Sequence, residues 1–299
     1  MPDSALFAVD WGTSSFRAYR LDADGAVIEQ RQAPLGILKV ANGDFAGTLQ
    51  GEIGGWLAQS EAPVLMSGMI GSRQGWSEAP YAPCPAGLAD LARHLHPVDV
   101  TPGRRGWIVP GLVHRGASGP PDVMRGEETQ IMGVLGAIGA GRHLICLPGT
   151  HSKWVELVDG RVAGFTTHMT GEVFAVLRQH SILGRLMEGD DVDLDGFDRG
   201  LDRARDGGGV LHHLFGVRTH GLFGEIAASA LPGYLSGLLI GHELANAGDG
   251  KSEVLILGAA ELARLYQRAL ARFGRPSRLL DPDAAHRGLF ALLPHLPKD

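Results

Sequence analysis

Hydrophobic positions along this chain fall into short runs. Residues 6–9 are wholly apolar, end in Asp10 and turn through Gly12, Thr13, Ser14 and Ser15. Residues 16–21 and 26–31 read as two further strands meeting at Asp24-Gly25, a dipeptide that tight hairpins favour. The stretch "APVLMSGMIGSRQGWSEAPYAPCPAGL" begins as a buried strand and becomes a long loop rich in Gly, Pro, Arg and aromatic residues, and "RRGWIVPGLV" is another strand. Residues 116–121 turn to Gly, Ser and Pro, a linker composition, so two domains are expected, 1–122 and 123–299.

Beyond that linker, Ile131, Val134, Leu135 and Ile138 recur at helical spacing and predict a helix over 128–139. An apolar strand over 143–147 follows, then strands over 152–158 and 162–167 joined at Asp159-Gly160. Thr170 can cap a helix carrying Val173, Phe174 and Leu177. Both halves thus run apolar strand, Gly-Thr-x-Ser turn, strand, Asp-Gly turn, return strand. An internal duplication of this unit accounts for the shared order.

Composition narrows the function. A net charge of −6 with no long basic run argues against a general nucleic-acid binder, since phosphate backbones demand concentrated positive charge. The two cysteines, Cys84 and Cys146, show no metal-ligand spacing and suit a reducing, cytoplasmic compartment. No signal pattern opens the chain, and the apolar stretch "YLSGLLIGHELANA" is too short and too polar at its end to cross a bilayer, so no membrane association is expected. Its first part suits either the core or a homodimer interface.

A tight turn of Gly, Thr and Ser presents backbone N–H groups and hydroxyls on one side, a nest for phosphate oxygens. Two such nests, Gly12–Ser15 and the turn of Gly149, Thr150, His151 and Ser152, could hold a polyphosphate between them. Asp10 stands at the mouth of the first, where a carboxylate would hold Mg²⁺ through its waters. Lys153 either reaches a phosphate or lies exposed on its hairpin. Further on, "SEVLILGAAELARLYQRALARFG" is a strand, a turn and a helix with Leu262, Leu265, Tyr266, Ala269 and Leu270 on one face. Small residues at Gly258, Ala259 and Ala260 would let an adenine ring approach the backbone; a plain strand–helix unit needing Gly for packing is the other reading. The run "DDVDLDGFDRGLD" spaces Asp191, Asp193, Asp195 and Gly196 as a calcium loop would, but Asp202 stands at the twelfth position where glutamate is required. A solvated acidic loop is expected there, and no structural metal.

Phosphate hairpin, linker, second phosphate hairpin and Gly-turn, in that order, resemble the actin/hexokinase/heat-shock-chaperone ATPase superfamily. Within it the chain resembles bacterial 2-dehydro-3-deoxygalactonokinases, through "VDWGTSSFRAYRL", "GMIGSRQGWSEAPYAPCPAGL", "MRGEETQIMG", "LPGTHSKWVEL", "THMTGE", "YLSGLLIGHEL" and "LILGAAEL". The resemblance implies an α/β fold of two ribonuclease H-like domains with a nucleotide cleft between them. The first would carry one phosphate turn and the substrate; the second would carry the other turn and the adenosine. It also implies transfer of the ATP γ-phosphate to the 6-hydroxyl of 2-dehydro-3-deoxy-D-galactonate, in galactonate degradation, with ATP and Mg²⁺. Related carbohydrate kinases have an acidic residue shortly before the second phosphate hairpin, which places the base at Glu127 first and Glu128 second; two glutamates opposing a helix dipole would look the same. The implied sugar-acid carboxylate calls for arginine, and Arg73 and Arg125 are the candidates, with Trp76 and Tyr81 as walls or hydroxyl partners. Thr170, Gly171 and Glu172 would close the other side. A kinase for another sugar acid, such as 2-dehydro-3-deoxygluconate, and an actin- or chaperone-like ATPase switch are the competing readings.

Overall fold

The first strand, β1 (Leu6–Trp11), is buried along its whole length, which is why it reads as a continuous apolar run. In the computed structural model, which describes residues 4–117, 119–248 and 250–297, Phe7, Val9 and Trp11 face one core of Phe16, Phe45, Leu49, Ile53 and Met66. The alternate residues, including Asp10, face the other way, because strand side chains alternate. Strands β2 (Phe16–Leu21) and β3 (Val27–Ala33) complete the hairpins, and the short turn pairs Asp10 directly with Arg17.

Helix α1 (Phe45–Leu57) is started by Asp44, whose carboxylate accepts the Gly47 N–H at 2.8 Å, and it buries Phe45, Leu49, Ile53 and Trp56 along one stripe. Next come β4 (Val64–Ser67), β5 (Tyr81–Pro83), α2 (Leu88–Arg93), β6 (His96–Thr101) and β7 (Arg104–Ile108). Then follow β8 (Gly111–His114), β9 (Asp122–Met124) and α3 (Glu127–Ile138). Pro110 splits the single strand expected over "RRGWIVPGLV" into β7 and β8 of different sheets.

The second sheet contains β10 (Arg142–Leu147), β11 (Ser152–Val158), β12 (Arg161–His168), β13 (Val254–Ile256) and β14 (Ser277–Leu279). Its helices are α4 (Thr170–His180), α5 (Leu194–Ala204), α6 (Gly209–Leu222), α7 (Leu231–Asn246) and α8 (Ala260–Arg272). The first sheet runs β3-β2-β1-β4-β7-β6 and the second β12-β11-β10-β13-β14. In both, the hairpin's first strand pairs in parallel with a strand from later in the chain, β1 with β4 and β10 with β13. The duplicated order read from the sequence is therefore repeated in topology, and the fold is the α/β, ribonuclease H-like type of actin and hexokinase.

The compact units do not divide at 122/123. The first holds the chain up to Arg142, with Leu157–Gly164 and the segment from Asp283 on; the second holds His143–Glu156 and Phe165–Pro282. The strands on either side of the Gly-Ser-Pro stretch, β8 and β9, pair in one small sheet of the first unit, so the stretch does not separate the units. What holds α3 in the first unit is the chain's last helix, α9 (Ala285–Leu292). A Cβ at Gly133 would stand 1.9 Å from the Ala284 carbonyl oxygen, and one at Gly288 would stand 1.8 Å from that of Thr129, so the helices touch backbone to backbone. In the second unit α5 and α7 approach as closely, at Gly200 and Gly237. Helix α7 is buried almost throughout, which assigns "YLSGLLIGHEL" to the core. The acidic run is not a loop: Asp193 caps α5, and Asp198 and Asp202 on that helix pair with Arg268 and Arg272 of α8.

Candidate active site

The first unit builds its site around Asp10. The carboxylate is 9% exposed and accepts a 2.6 Å bond from Arg17 Nη2. Burial raises the Asp10 carboxyl above its ordinary value, and the Arg17 charge and hydrogen bond oppose that rise. Two buried polar atoms beside it have no partner: Arg17 Nε, and the Oγ of Ser67, which lies opposite Asp10 on β4. The Asp10 carboxylate, with unspent hydrogen-bonding groups beside it and the charge of Asp283 close enough to act on it, suits a hydrated Mg²⁺, which keeps most of its waters. Among the described residues no three His, Cys, Asp or Glu side chains cluster to ligate an ion directly. The fit is therefore to an ion held chiefly by phosphate and water.

The turn after Asp10 is braced from behind. Trp11 Nε1 donates to the Leu35 carbonyl, Ile37 N–H donates to the Gly12 carbonyl, and Gly36 passes so close that a Cβ there would stand 2.2 Å from Thr13 O. Gly12 N–H is spent inside the turn on Ser15 O, which leaves Thr13 and Ser14 as the exposed edge. Arg17 and Gly36 were not among the residues read from the sequence. Arg17 was findable, since a four-residue turn fixes its partner as Asp10.

Gly68 links Asp10 to the glutamates. It adopts φ +94°, and a Cβ there would stand 2.8 Å from Trp11 O and 3.4 Å from Asp10 Oδ1. On its other side, a Cβ at Gly126, the residue capping α3, would stand 3.2 Å from the Gly68 Cα. One glycine thus separates Asp10 from the start of the helix that carries Glu127 and Glu128. Their carboxylates both reach back, Glu127 accepting Arg125 N–H and Glu128 accepting Gly126 N–H. Glu128 is fully buried, its Oε1 has no partner, and burial followed by the charge of Glu127 pushes its carboxyl up to about 8. Glu127 is only half-buried.

The same unit sorts the expected substrate residues. Arg125 lies 4.3 Å from the Tyr81 ring centroid and donates Nη2 to the Ala79 carbonyl, while its buried Nε and Nη1 have no partner. Arg73 differs: its side chain is 86% exposed and pairs with Glu78. Trp76 stacks on Phe45 at 6.4 Å and packs half-buried against the core.

In the second unit, the Gly149–Ser152 turn lies beside the start of α4. Glu172 N–H donates to Thr150 O, the Glu172 carboxylate bonds the His151 ring, and a Cβ at Gly171 would stand 2.5 Å from Gly149 O. Three readings narrow here. Thr170 does not cap α4, because it is the first helical residue and its hydroxyl donates to Glu243. Ser152 is fully buried with its hydroxyl bonded to Tyr266, so it turns no hydroxyl to a ligand. Lys153 is not exposed on the hairpin: it is 5% exposed and donates to Thr167.

Beside this turn lies a small pocket of about 170 Å³. Gly149, Thr170 and Gly171 line its polar edge; Phe174, Leu239, Ile240, Leu262, Leu265 and Tyr266 form its apolar walls. Ala259 and Ala260 are exposed, and Gly258 packs against Pro148. The apolar face of α8, which begins after that Gly-turn, supplies one wall of the pocket. Its helical spacing was legible; its use as a pocket wall was not.

A family model described as 2-keto-3-deoxy-galactonokinase matches residues 10–292. The chain belongs to this family. A Rhizobium meliloti (strain 1021) protein described as a probable 2-dehydro-3-deoxygalactonokinase, DgoK1, is 42% identical over 288 residues, 94% of this chain and 93% of that one. The Escherichia coli (strain K12) 2-dehydro-3-deoxygalactonokinase is 33% identical over 270 residues, 89% of each chain. A crystal structure from Sinorhizobium meliloti assigned to the same activity superposes with a TM-score of 0.89 at 41% identity, covering 96% of this chain and 97% of that one. The Acidaminococcus fermentans (R)-2-hydroxyglutaryl-CoA dehydratase component A shares the fold at 11% identity, with a TM-score of 0.50 over 96% of each chain. Among the described residues no helix is long and apolar enough to cross a membrane.

Proposed function

We propose that the protein transfers the γ-phosphate of ATP to the 6-hydroxyl of 2-dehydro-3-deoxy-D-galactonate, in the cytoplasm. The observation that carries this reading is the match over nearly the whole length to relatives bearing that activity's name. The geometry supplies a role for each group. The exposed edges of the two Gly-Thr-x-Ser turns bind phosphate oxygens, and the apolar pocket beside Gly149 takes the purine. Thr170 and Glu172 serve this nucleotide side, since both lie at the second turn.

Asp10 would hold Mg²⁺ through water, with the Arg17 charge opposing the rise that burial imposes on its carboxyl; the ion, when bound, neutralises charge on the phosphates. Glu127 takes the proton from the acceptor hydroxyl, because it is the glutamate that is not sealed off. Glu128 stays neutral below about pH 8 and shapes the helix entry. Arg125, half-buried beside Tyr81 with part of its guanidinium unspent, is the arginine assigned to the substrate carboxylate.

The test is ATP consumption with Mg²⁺ in the presence of 2-dehydro-3-deoxygalactonate, its gluconate epimer, galactose or no acceptor. Turnover confined to the galactonate compound supports the reading. Turnover with the gluconate epimer alone moves the substrate, and rapid turnover without acceptor removes the kinase assignment.

A further inference from the structure

Helix α7 carries one carboxylate into the core of the second unit. Glu243 is 3% exposed, and three donors from three elements converge on it. Trp154 Nε1 of β11 donates to Oε1 at 2.8 Å; the Tyr266 hydroxyl of α8 donates to Oε2 at 2.7 Å; the Thr170 hydroxyl at the start of α4 donates to the same oxygen. The Tyr266 oxygen lies 2.8 Å from Ser152 Oγ. Since its single proton goes to Glu243, Ser152 must donate to it. An oriented chain runs from Ser152 through Tyr266 to Glu243, with Thr170 joining from the other side. The Tyr266 hydroxyl is held well above its ordinary value by burial and by the Glu243 charge, so it remains the donor.

The ends of this chain matter. Ser152 closes the second Gly-Thr-x-Ser turn, while Tyr266 and Thr170 line the pocket beside it. Glu243 itself lines neither. We infer that Glu243 is a positioning residue: it fixes the second phosphate turn relative to the purine pocket, so that one nucleotide satisfies both at once. This rests on the nucleotide reading of that pocket.

A carboxylate accepts from all three donors without conflict. Gln in its place offers one acceptor oxygen and an NH₂ that donates, and Trp154 N–H can only donate. The amide oxygen must then serve Trp154, and the NH₂ must face Tyr266 and Thr170, reversing the hydroxyl chain and slackening the turn. Loss should fall on ligands that span turn and pocket together, since only they depend on the spacing.

The experiment is calorimetric binding of ATP, adenosine and inorganic tripolyphosphate to the full-length protein, wild type and Glu243→Gln. ATP affinity should fall at least about tenfold, with adenosine changed by less than about threefold. An equal loss for ATP and adenosine, or no loss, overturns the inference. Should Glu243→Gln fail to fold, Thr170→Val removes one donor and should show the same selectivity, and Thr170→Ser should recover most of the lost ATP affinity. Leu265→Trp, which fills the pocket, separates the two readings. If it leaves wild-type ATP binding intact, the purine assignment fails, and this inference fails with it. If it abolishes binding while Glu243→Gln does not lower ATP affinity, only the positioning role fails.

Discussion

Replacing Glu128 by Gln should abolish a specific part of the protein's pH-dependent stability. The folded-state carboxyl titrates near 8 against an ordinary value of 4.5. Between those values the native state binds one proton more than the unfolded chain, so this group's contribution is complete below about pH 4.5 and is lost as pH rises through about 8. One proton corresponds to about 1.4 kcal/mol per pH unit, or about 4 kcal/mol from pH 5 to 8. Relaxation around the charge reduces the expected total to about 2–4 kcal/mol. Gln cannot ionise, keeps an acceptor for Gly126 N–H, and occupies the same space. The assay is urea unfolding at half-unit steps from pH 5 to 8.5, followed by tryptophan fluorescence, to which Trp11, Trp56, Trp76 and Trp107 contribute from the first unit and Trp154 from the second. The variant's advantage should be near zero at pH 5 and grow with pH until about 8. Parallel stability curves for the two proteins would refute the claim that Glu128 is neutral in the fold.

Asp10→Asn should lower kcat by about 100-fold or more while moving the melting midpoint by only a few degrees, because volume is retained and the metal-binding charge is lost; near-normal turnover would end the metal assignment. Arg17→Met removes what opposes the upward shift of Asp10, so the acid limb of kcat/KM should move to higher pH, with activity recovering on alkalinisation; a loss independent of pH would contradict this. Arg125→Lys should raise the sugar-acid KM by about tenfold or more, whereas Arg73→Ala should leave it within about twofold, and initial rates with the order reversed would move the carboxylate site to the exposed loop. Glu127→Gln should cost about 100-fold or more in kcat with ATP affinity retained, measured by single-turnover transfer.

Several of these tests rest on groups that the sequence displayed openly. Asp10, the two turns and the glutamate pair were visible because each sits within a few residues of a strand end or helix start, where local rules apply. Arg125 was named but not ranked above Arg73, since residue type alone gives no sign of which arginine is covered. The structure separates them by the Tyr81 ring and Ala79 carbonyl on one side and solvent on the other. Likewise the sequence left Thr170 open between a cap and a site residue, and Lys153 between a phosphate ligand and a surface residue, because their partners, Glu243 and Thr167, are invisible to any local pattern.

The sequence by itself determined the paired hairpins. Alternation, the Gly-Thr-x-Ser turns and the Asp-Gly turns act within about 20 residues, and a turn of fixed length carries its register with it, so Asp10 meets Arg17 without help from the rest of the chain. Only the tertiary structure decided what surrounds them. The final segment returns to the first unit, where Asp283 accepts from Tyr19 and α9 packs on α3 at glycines. Glu243 joins residues that lie up to 89 positions away. Such contacts depend on how closely two backbones approach and which polar atoms are sealed from water, and neither quantity exists until the elements have packed.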